Sequence, residues 1–405
     1  MNSQYDIVVS GAGMVGATLC CALADSGLRI AVIEANPIAN TWPDDDDDLR
    51  VSAITAASEQ IFRSLNVWQA ITEHGISPYR DMHVWDASGD GAIHFDSADI
   101  GEARLGHIVK NRIIQTALQL RMRSNNNMTL LYPHSIQSFN VNTDHVAIKL
   151  DDAQQIEARL LIGADGGQSR VRQLAGIEID TRDYQQKAIV ATVTSELPHQ
   201  ETASQRFMPN GPLAFLPLAD GRCSIVWSTT PEQADELLAM DEADFCDALG
   251  TAFEHRLGQI TASSPRAAFP LRSAHAKQYV LPRLALIGDA AHTVHPLAGQ
   301  GVNLGLLDAA TLAETIEQAK AKNIDIGNLS SLRRFERWRK GDNLLTMATM
   351  TGFQQLFSNN NQAVSRLRNT GLKISNTLPP LKNRIMKHAL GLKGDLPKLA
   401  RPTFY

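Results

Sequence analysis

Three apolar runs along the chain stop abruptly at glycine. They are "DIVVSG" near the start, "LLIGADGG" in the middle and "LALIGDAA" late in the chain. Runs this short and rich in Ile and Val, closed by a breaker, predict buried strands. Tyr5 to Val9 is the first such strand. Met14 to Asp25 then has helical composition, and Gly27 stops it. Arg29 to Ile33 predicts a second strand, with Glu34 at its end. The pattern changes between Tyr184 and Arg272. "KAIVATVTS", "QRFMPNGPLAFLPLADG" and "CSIVWSTT" alternate between apolar and polar positions and are separated by turn residues, which predicts an antiparallel sheet. After "HPLAGQG" a helical pattern runs from Val302 and Asn303 through Leu304 to Glu317. Near the C-terminus "PPLKNRIMKHALGLK" places Leu381, Ile385, Met386 and Leu390 on one side of a helix, with lysines around them.

Composition narrows the class. The chain has 405 residues, 43% hydrophobic and 20% charged, as in an ordinary globular protein of one large or two smaller domains. A net charge of −5 gives a nucleic-acid partner no global support. Cys20, Cys21, Cys223 and Cys246 form no disulfide framework and no CxxC pair, so they read as reduced thiols. The first apolar run lacks the basic flank of a secretory signal, and no run of 18 apolar residues predicts a membrane span. These features predict a cytoplasmic protein. Charge is uneven, however. From Asn343 to Tyr405 nine Lys/Arg face one acid, Asp395; that is +8, which leaves −13 for the rest.

The first strand, helix and second strand bracket Gly11, Gly13 and Gly16 in the spacing GxGxxG. This is a dinucleotide-binding pattern: the glycines permit a tight turn, close approach of a pyrophosphate and close helix packing, and Glu34 suits a ribose hydroxyl pair. It does not separate FAD from NAD. Two further pairs do, Asp165-Gly166 and Gly288-Asp289, each at the end of a predicted strand. With all three signatures in this order, almost the whole chain resembles the FAD-dependent aromatic hydroxylases of the para-hydroxybenzoate hydroxylase type. "LRVSAITAASEQIFRSLNVW", "GHIVKNRIIQTAL", "AFLPLADGRCSIVWS" and "GDAAHTVHPLAGQGVNLGLLDAA" resemble, within that group, the hydroxylases of ubiquinone biosynthesis, with the 2-polyprenylphenol hydroxylases as the nearest branch.

The resemblance implies a mixed α/β fold. A Rossmann-like FAD-binding domain would be built from 1–80, 104–182 and 273–342. An antiparallel-sheet substrate domain would be interleaved from 81–103 and 183–272, with a basic helical segment from 343–405. It implies FAD held by Gly11, Gly13, Gly16, Glu34, Arg50, Arg112, Asp165, Gly166, Gly288, Asp289, Gly299, Gly301, Val302 and Asn303. Asp289 would bond the ribityl chain. The helix after Gly299 would aim its positive end at the reduced flavin. Arg50, Pro296, Gly299 and Gly301 would lie beside the ring, with no side chain assigned to catalysis. Phe215, Leu216, Pro217 and Trp227 are substrate-pocket candidates.

The implied reaction is hydroxylation of a polyprenylated phenol through a flavin C4a-hydroperoxide, at C5 of a 2-polyprenylphenol, with O2 and NADPH or NADH. Another ring position of the same pathway is the alternative. Arg170 and Arg172 form either a nicotinamide-phosphate site or a solvated patch. His292 and His295 suggest a metal, but no third ligand is near, so no metal is expected. The run Asp44 to Asp48 reads as a solvated loop.

The expected partners are the prenylated phenol, other ubiquinone-biosynthesis proteins and the inner face of the membrane, met by the basic C-terminal helix; a homo-oligomer is left open. A flavin-dependent halogenase is disfavoured, since Trp42, Trp68, Trp85, Trp227 and Trp338 are isolated and give no WxWxIP stretch. A non-catalytic scaffold that binds FAD and prenyl lipid is the remaining rival.

Overall fold

The computed structural model describes residues 3–42, 48–294, 301–357, 359, 361–391 and 394–401. Among these the fold is mixed α/β, with strands in three sheets. In the first, Ser3–Ser10 lies between Ile30–Ile33 and Gln155–Gly163, parallel to both. Leu284–Leu286 adds in parallel on the far side of Gln155–Gly163. All three glycine-terminated apolar runs are therefore neighbouring strands. Such strands are covered on both faces, which is why they read as unbroken apolar runs.

The first helix, Met14–Ala22, is shorter than its composition suggests. The last turn tightens into a 3-10 turn, Ala24–Ser26, and Gly27 closes it in the left-handed region at φ 67°. Two helices flank Met14–Ala22, Asn111–Arg123 and Gly301–Ala321. All four cysteines are buried free thiols.

Among the described residues the second sheet has nine strands. It is antiparallel except where Asp81–Asp86 pairs in parallel with Thr202–Met208. Successive side chains alternate between its faces. One face carries Trp85, Leu213, Phe215 and Trp227, covered by the helices Pro231–Ala239 and Glu242–Ala252. The other carries Ala203 and Leu216 and packs on the small third sheet of Val51–Ile54, Ser77–Tyr79 and Gly106–Lys110.

The basic C-terminal segment is a strap of helices, Leu329–Phe357, Gln362–Thr377 and Pro379–Ala389. Its charge answers the acids of the hairpin Asp81–Asp96 and the turn after it. Arg368 pairs with Asp86 at 2.6 Å with both side chains buried, Lys373 with Asp90 at 2.5 Å and Lys382 with Asp99 at 2.6 Å. The Asn369 side chain accepts the Gly91 N–H at 2.6 Å. Two of the four residues expected to face a membrane do not: Met386 and Leu390 are buried against Tyr79, Leu105 and Leu216. The side chains of Leu381 and Ile385 lie outside the described residues. No helix among the described residues is long and apolar enough to cross a membrane.

Candidate active site

The site is built where the glycine-terminated strands end. Gly11 follows the first strand with φ +103°, and a Cβ there would lie 2.4 Å from the Ala164 carbonyl oxygen. A Cβ on Gly16 would lie 2.0 Å from the Gly11 oxygen. Both glycines exist because backbone passes against backbone. Gly13 differs: a Cβ there would meet nothing within 4 Å. Gly13 caps the first helix without a side-chain hydrogen bond, so the helix start presents backbone N–H groups beside open space. That is the cradle a pyrophosphate requires.

Glu34 stands at the end of the second strand. Its carboxylate accepts the Ala12 N–H at 2.7 Å and the Asn36 N–H at 3.0 Å. The group expected at the ribose therefore also braces the glycine loop. Gln119 completes the brace: its amide donates to the Ala12 carbonyl at 2.8 Å and accepts the Ala39 N–H at 2.9 Å. Its only trace in the sequence is a polar residue on the apolar side of a helix.

The Asp165 carboxylate accepts from the Ser169 hydroxyl at 2.5 Å and the Val171 N–H at 3.1 Å, which caps the turn into Arg170–Leu174. Gly166 follows with open space at its Cβ position. Arg172 is not a surface anion site. It is buried, and donates to the Ala290 and Gly167 carbonyls at 2.8 Å each. Arg172 thus joins the Asp165-Gly166 turn to the Gly288-Asp289 turn. Arg170 remains exposed.

Gly288–Ala290 is a 3-10 turn. The Asp289 side chain faces solvent within a crowded recess. Crowding raises its carboxyl above the usual range, His292 opposes this, and the charge of Asp308 adds to it. Neutral hydroxyl donors suit such a carboxylate. Beneath it lies a buried network. Asp308 takes the Gly288 N–H at 3.1 Å, His292 Nε2 at 2.5 Å, Arg339 Nε at 2.9 Å and the Asn343 amide at 3.2 Å. His292 therefore serves this network through its Nε2 atom.

Gly301, Val302 and Asn303 form the first turn of Gly301–Ala321. The Asn303 side chain accepts the Thr55 N–H at 3.1 Å and donates to the Ala53 carbonyl at 2.8 Å. It fixes the helix start over the third sheet. Arg50 and Arg112 meet at the edge of that sheet. Asp48 accepts both of their N–H groups, at 3.0 and 2.8 Å, so the last aspartate of the run is a strut rather than a solvated tail. Asp44 to Asp47, and His295, Pro296 and Gly299, lie outside the described residues.

The four pocket candidates are divided by the sheet. Phe215 and Trp227 are buried behind it, with Phe215 stacked on Phe253 at 3.9 Å between ring centroids. That corrects their assignment: they are core. Leu216 faces the third sheet, and Pro217 is buried at the strand end. Trp227→Phe should lower stability by about 1–2 kcal/mol. KM for the aromatic substrate should not change; a raised KM with unaltered melting would return Trp227 to the pocket.

A family model described as the FAD binding domain matches residues 4–323. Solved structures agree with the fold. A p-nitrophenol 4-monooxygenase from Pseudomonas putida is 17% identical, with a TM-score of 0.78 over 96% of this chain and 99% of that one. A probable FAD-dependent monooxygenase from Pseudomonas aeruginosa is 21% identical, with a TM-score of 0.75 over 91% and 99%. The protein is a flavoprotein monooxygenase. Among curated proteins it is 37% identical to the 3-demethoxyubiquinol 3-hydroxylase of Escherichia coli, over 96% of this chain and 100% of that one. It is 36% identical to the mitochondrial ubiquinone biosynthesis monooxygenase of Homo sapiens, over 96% and 93%. A ubiquinone hydroxylase of Rhodospirillum rubrum is also 36% identical, over 98% and 92%. The chain belongs to the FAD-dependent hydroxylases of ubiquinone biosynthesis.

Proposed function

We propose that the protein adds one hydroxyl to the aromatic ring of a polyprenylated phenol or quinol on the route to ubiquinone, using NADPH or NADH and O2. The carrying observation is the identity with the Escherichia coli 3-hydroxylase of 3-demethoxyubiquinol along essentially the whole of both chains. On that support the ring is a demethoxyubiquinol and the position is 3. This replaces the C5 hydroxylation of a 2-polyprenylphenol that the sequence suggested.

The residues fit FAD. Gly11, Gly13 and Gly16 leave a cradle for the pyrophosphate at the first helix, and Glu34 stands beside it for the ribose. Asp289, in its recess, would accept from the ribityl hydroxyls. The start of Gly301–Ala321 would place N–H groups at the polar edge of the ring, held there by Asn303. Arg50 and Arg112, positioned by Asp48, would lie at the cofactor's edge. Bound there, FAD supplies the reduction of O2 and the transfer of one oxygen atom to the ring. The protein's share is to orient the ring and exclude water. On that side of the sheet Leu216, Tyr79 and Leu105 pack with Met386 and Leu390 in one buried cluster that supports the sheet.

Purified FAD-bound protein should oxidise NADPH faster when given a short-chain demethoxyubiquinol than a short-chain 2-prenylphenol. Mass spectrometry should find one atom of labelled O2 in the product. Faster turnover of the 2-prenylphenol would restore position C5. Peroxide as the only product with every ring would refute hydroxylation.

A further inference from the structure

We propose that the groove between the helices Pro231–Ala239 and Glu242–Ala252 docks a basic amphipathic helix of a partner protein. Such docking goes beyond the reaction proposed above and does not depend on it.

The two helices cover the face of the large sheet opposite the third sheet. Between them lies a groove of about 460 Å3. Its floor is apolar, made by Trp227 of the sheet and Leu237. Glu236 and Met240 flank it on the side of the first helix. Ala248, Thr251 and Ala252 line it on the side of the second. These side chains are small, so an incoming backbone can approach closely. The groove is also preformed. Thr230 caps the first helix by accepting the Gln233 N–H, and Asp241 caps the second by accepting the Asp244 N–H. The Arg266 guanidinium donates to the Met240 and Asp241 carbonyls at 2.5 and 3.2 Å, which ties down the link between the helices. A site held in this way loses little freedom when it is filled.

Charge selects the occupant. Residues 231–254 hold eight Asp and Glu and no Lys or Arg. Some of these acids are used within the fold. Asp235 pairs with Lys187 at 2.6 Å and Glu254 with Arg206 at 2.8 Å, while Glu242 accepts the Ser263 N–H at 2.8 Å. Glu232, Glu236, Asp244 and Asp247 are exposed and have no basic partner among the described residues. Glu236 and Asp247 line the groove from its two helices. Unpaired carboxylates around an apolar floor repel nucleic acid and anionic lipid. They complement a segment whose apolar stripe is flanked by Lys or Arg. That segment must be helical. The strand beneath the groove, Cys223–Thr229, is paired on both sides, with Ile179–Ser195 and Gly211–Pro217. No free strand edge is offered there to an extended peptide, which leaves the helix-in-groove mode. The lining from Gln233 to Met240 spans about two helical turns, so the contact is small and transient.

The test uses full-length FAD-bound protein and a labelled, amidated Leu/Lys peptide whose leucines repeat at helical spacing. Fluorescence anisotropy should show saturable binding to wild type. A peptide of the same composition in scrambled order should bind about tenfold more weakly. Glu236→Gln/Asp247→Asn should weaken the ordered peptide about tenfold and flatten its salt dependence. Thr251→Tyr, which fills the groove and leaves its charge, should abolish saturable binding. Glu102→Gln/Asp144→Asn removes the same charge elsewhere on the surface and should bind like wild type. Each variant changes exposed residues, so flavin content and melting temperature should match wild type. Equal binding of the ordered and scrambled peptides would overturn the proposal, because charge alone would then suffice. So would unchanged binding by the groove variants, or no binding by wild type. A wild type that self-associates in sedimentation, ignores the peptide and becomes monomeric in Thr251→Tyr would also overturn it, since the groove would then belong to a second copy. Turnover of a short-chain quinol is measured in parallel. Loss of docking in Thr251→Tyr with turnover intact supports this surface, and a failure of turnover alone strikes only the proposed reaction.

Discussion

Gly16→Ala should purify without flavin. Its Cβ would sit 2.0 Å from the Gly11 carbonyl oxygen, an approach that real side chains do not make. The opposing atom is backbone, so nothing flexible can yield. The cost should be about 3 kcal/mol or more, borne by the first helix and the glycine loop together. Visible flavin absorbance relative to protein absorbance reads the result. Gly13→Ala is the control. Its Cβ meets no protein atom within 4 Å, so the fold should melt normally while FAD affinity falls about tenfold or more through the loss of close pyrophosphate approach. Normal flavin in Gly16→Ala, or normal affinity in Gly13→Ala, would refute the cradle.

Asp308→Ala should be the most damaging change beneath the cofactor. It leaves the Arg339 guanidinium and His292 buried beside an apolar gap, and frees the Gly288 N–H. Breaking a buried charge network this way costs about 3–5 kcal/mol. The same carboxylate sets an acid limit. Burial alone would raise it; the charge and hydrogen bonds of His292 and Arg339 more than offset burial and hold it at about 2. The unfolded value is about 3.9. A folded value below the unfolded one gives stability that is complete above about pH 5 and lost as pH falls toward about 2. The gap in melting temperature between wild type and Asp308→Asn should therefore be constant at neutral pH and shrink below about pH 5. A gap that widens in acid would mean the carboxylate is not held low.

The cofactor half is legible in the chain because each apolar run there is buried on both faces and each ends on a glycine that close packing or a positive φ demands. Gly11 and Gly16 show why: the turn needs φ +103° at Gly11 and leaves Gly16 no room beside the Gly11 oxygen, and the local spacing records both, although Gly11 also abuts the remote Ala164. Gln119, Asp308 and Arg339 are not legible in this way. Each is a polar residue within a helix, and its partner is far away in sequence; Arg339 and Asp308 are 31 residues apart, and Gln119 and Ala12 are 107 apart. An acid inside "GLLDAATLAE" is the available signal for Asp308. The pocket residues are hidden for a different reason. Alternation in "LAFLPL" shows that two faces exist, but both are apolar, so the pattern cannot say which one looks toward the cofactor. The C-terminal helix misleads because an apolar side with lysines around it serves equally for lipid and for a sheet bordered by aspartates. The aspartate that decides the matter is remote: Lys382 of that helix pairs with Asp99, and Asn383 donates to the Asp99 carbonyl 284 residues away.

The pairing of Ser3–Ser10 with Gln155–Gly163, and of that strand with Leu284–Leu286, also governs how the molecule is made. A ribosome delivers the first strand and helix long before the strands that flank them on that side. Until then an apolar edge with unpaired backbone groups is exposed in the cell. Chains with contacts this distant fold slowly and depend on protection while they wait. Yield at low growth temperature, or with extra chaperone, should therefore respond more strongly than the stability of the finished protein would suggest.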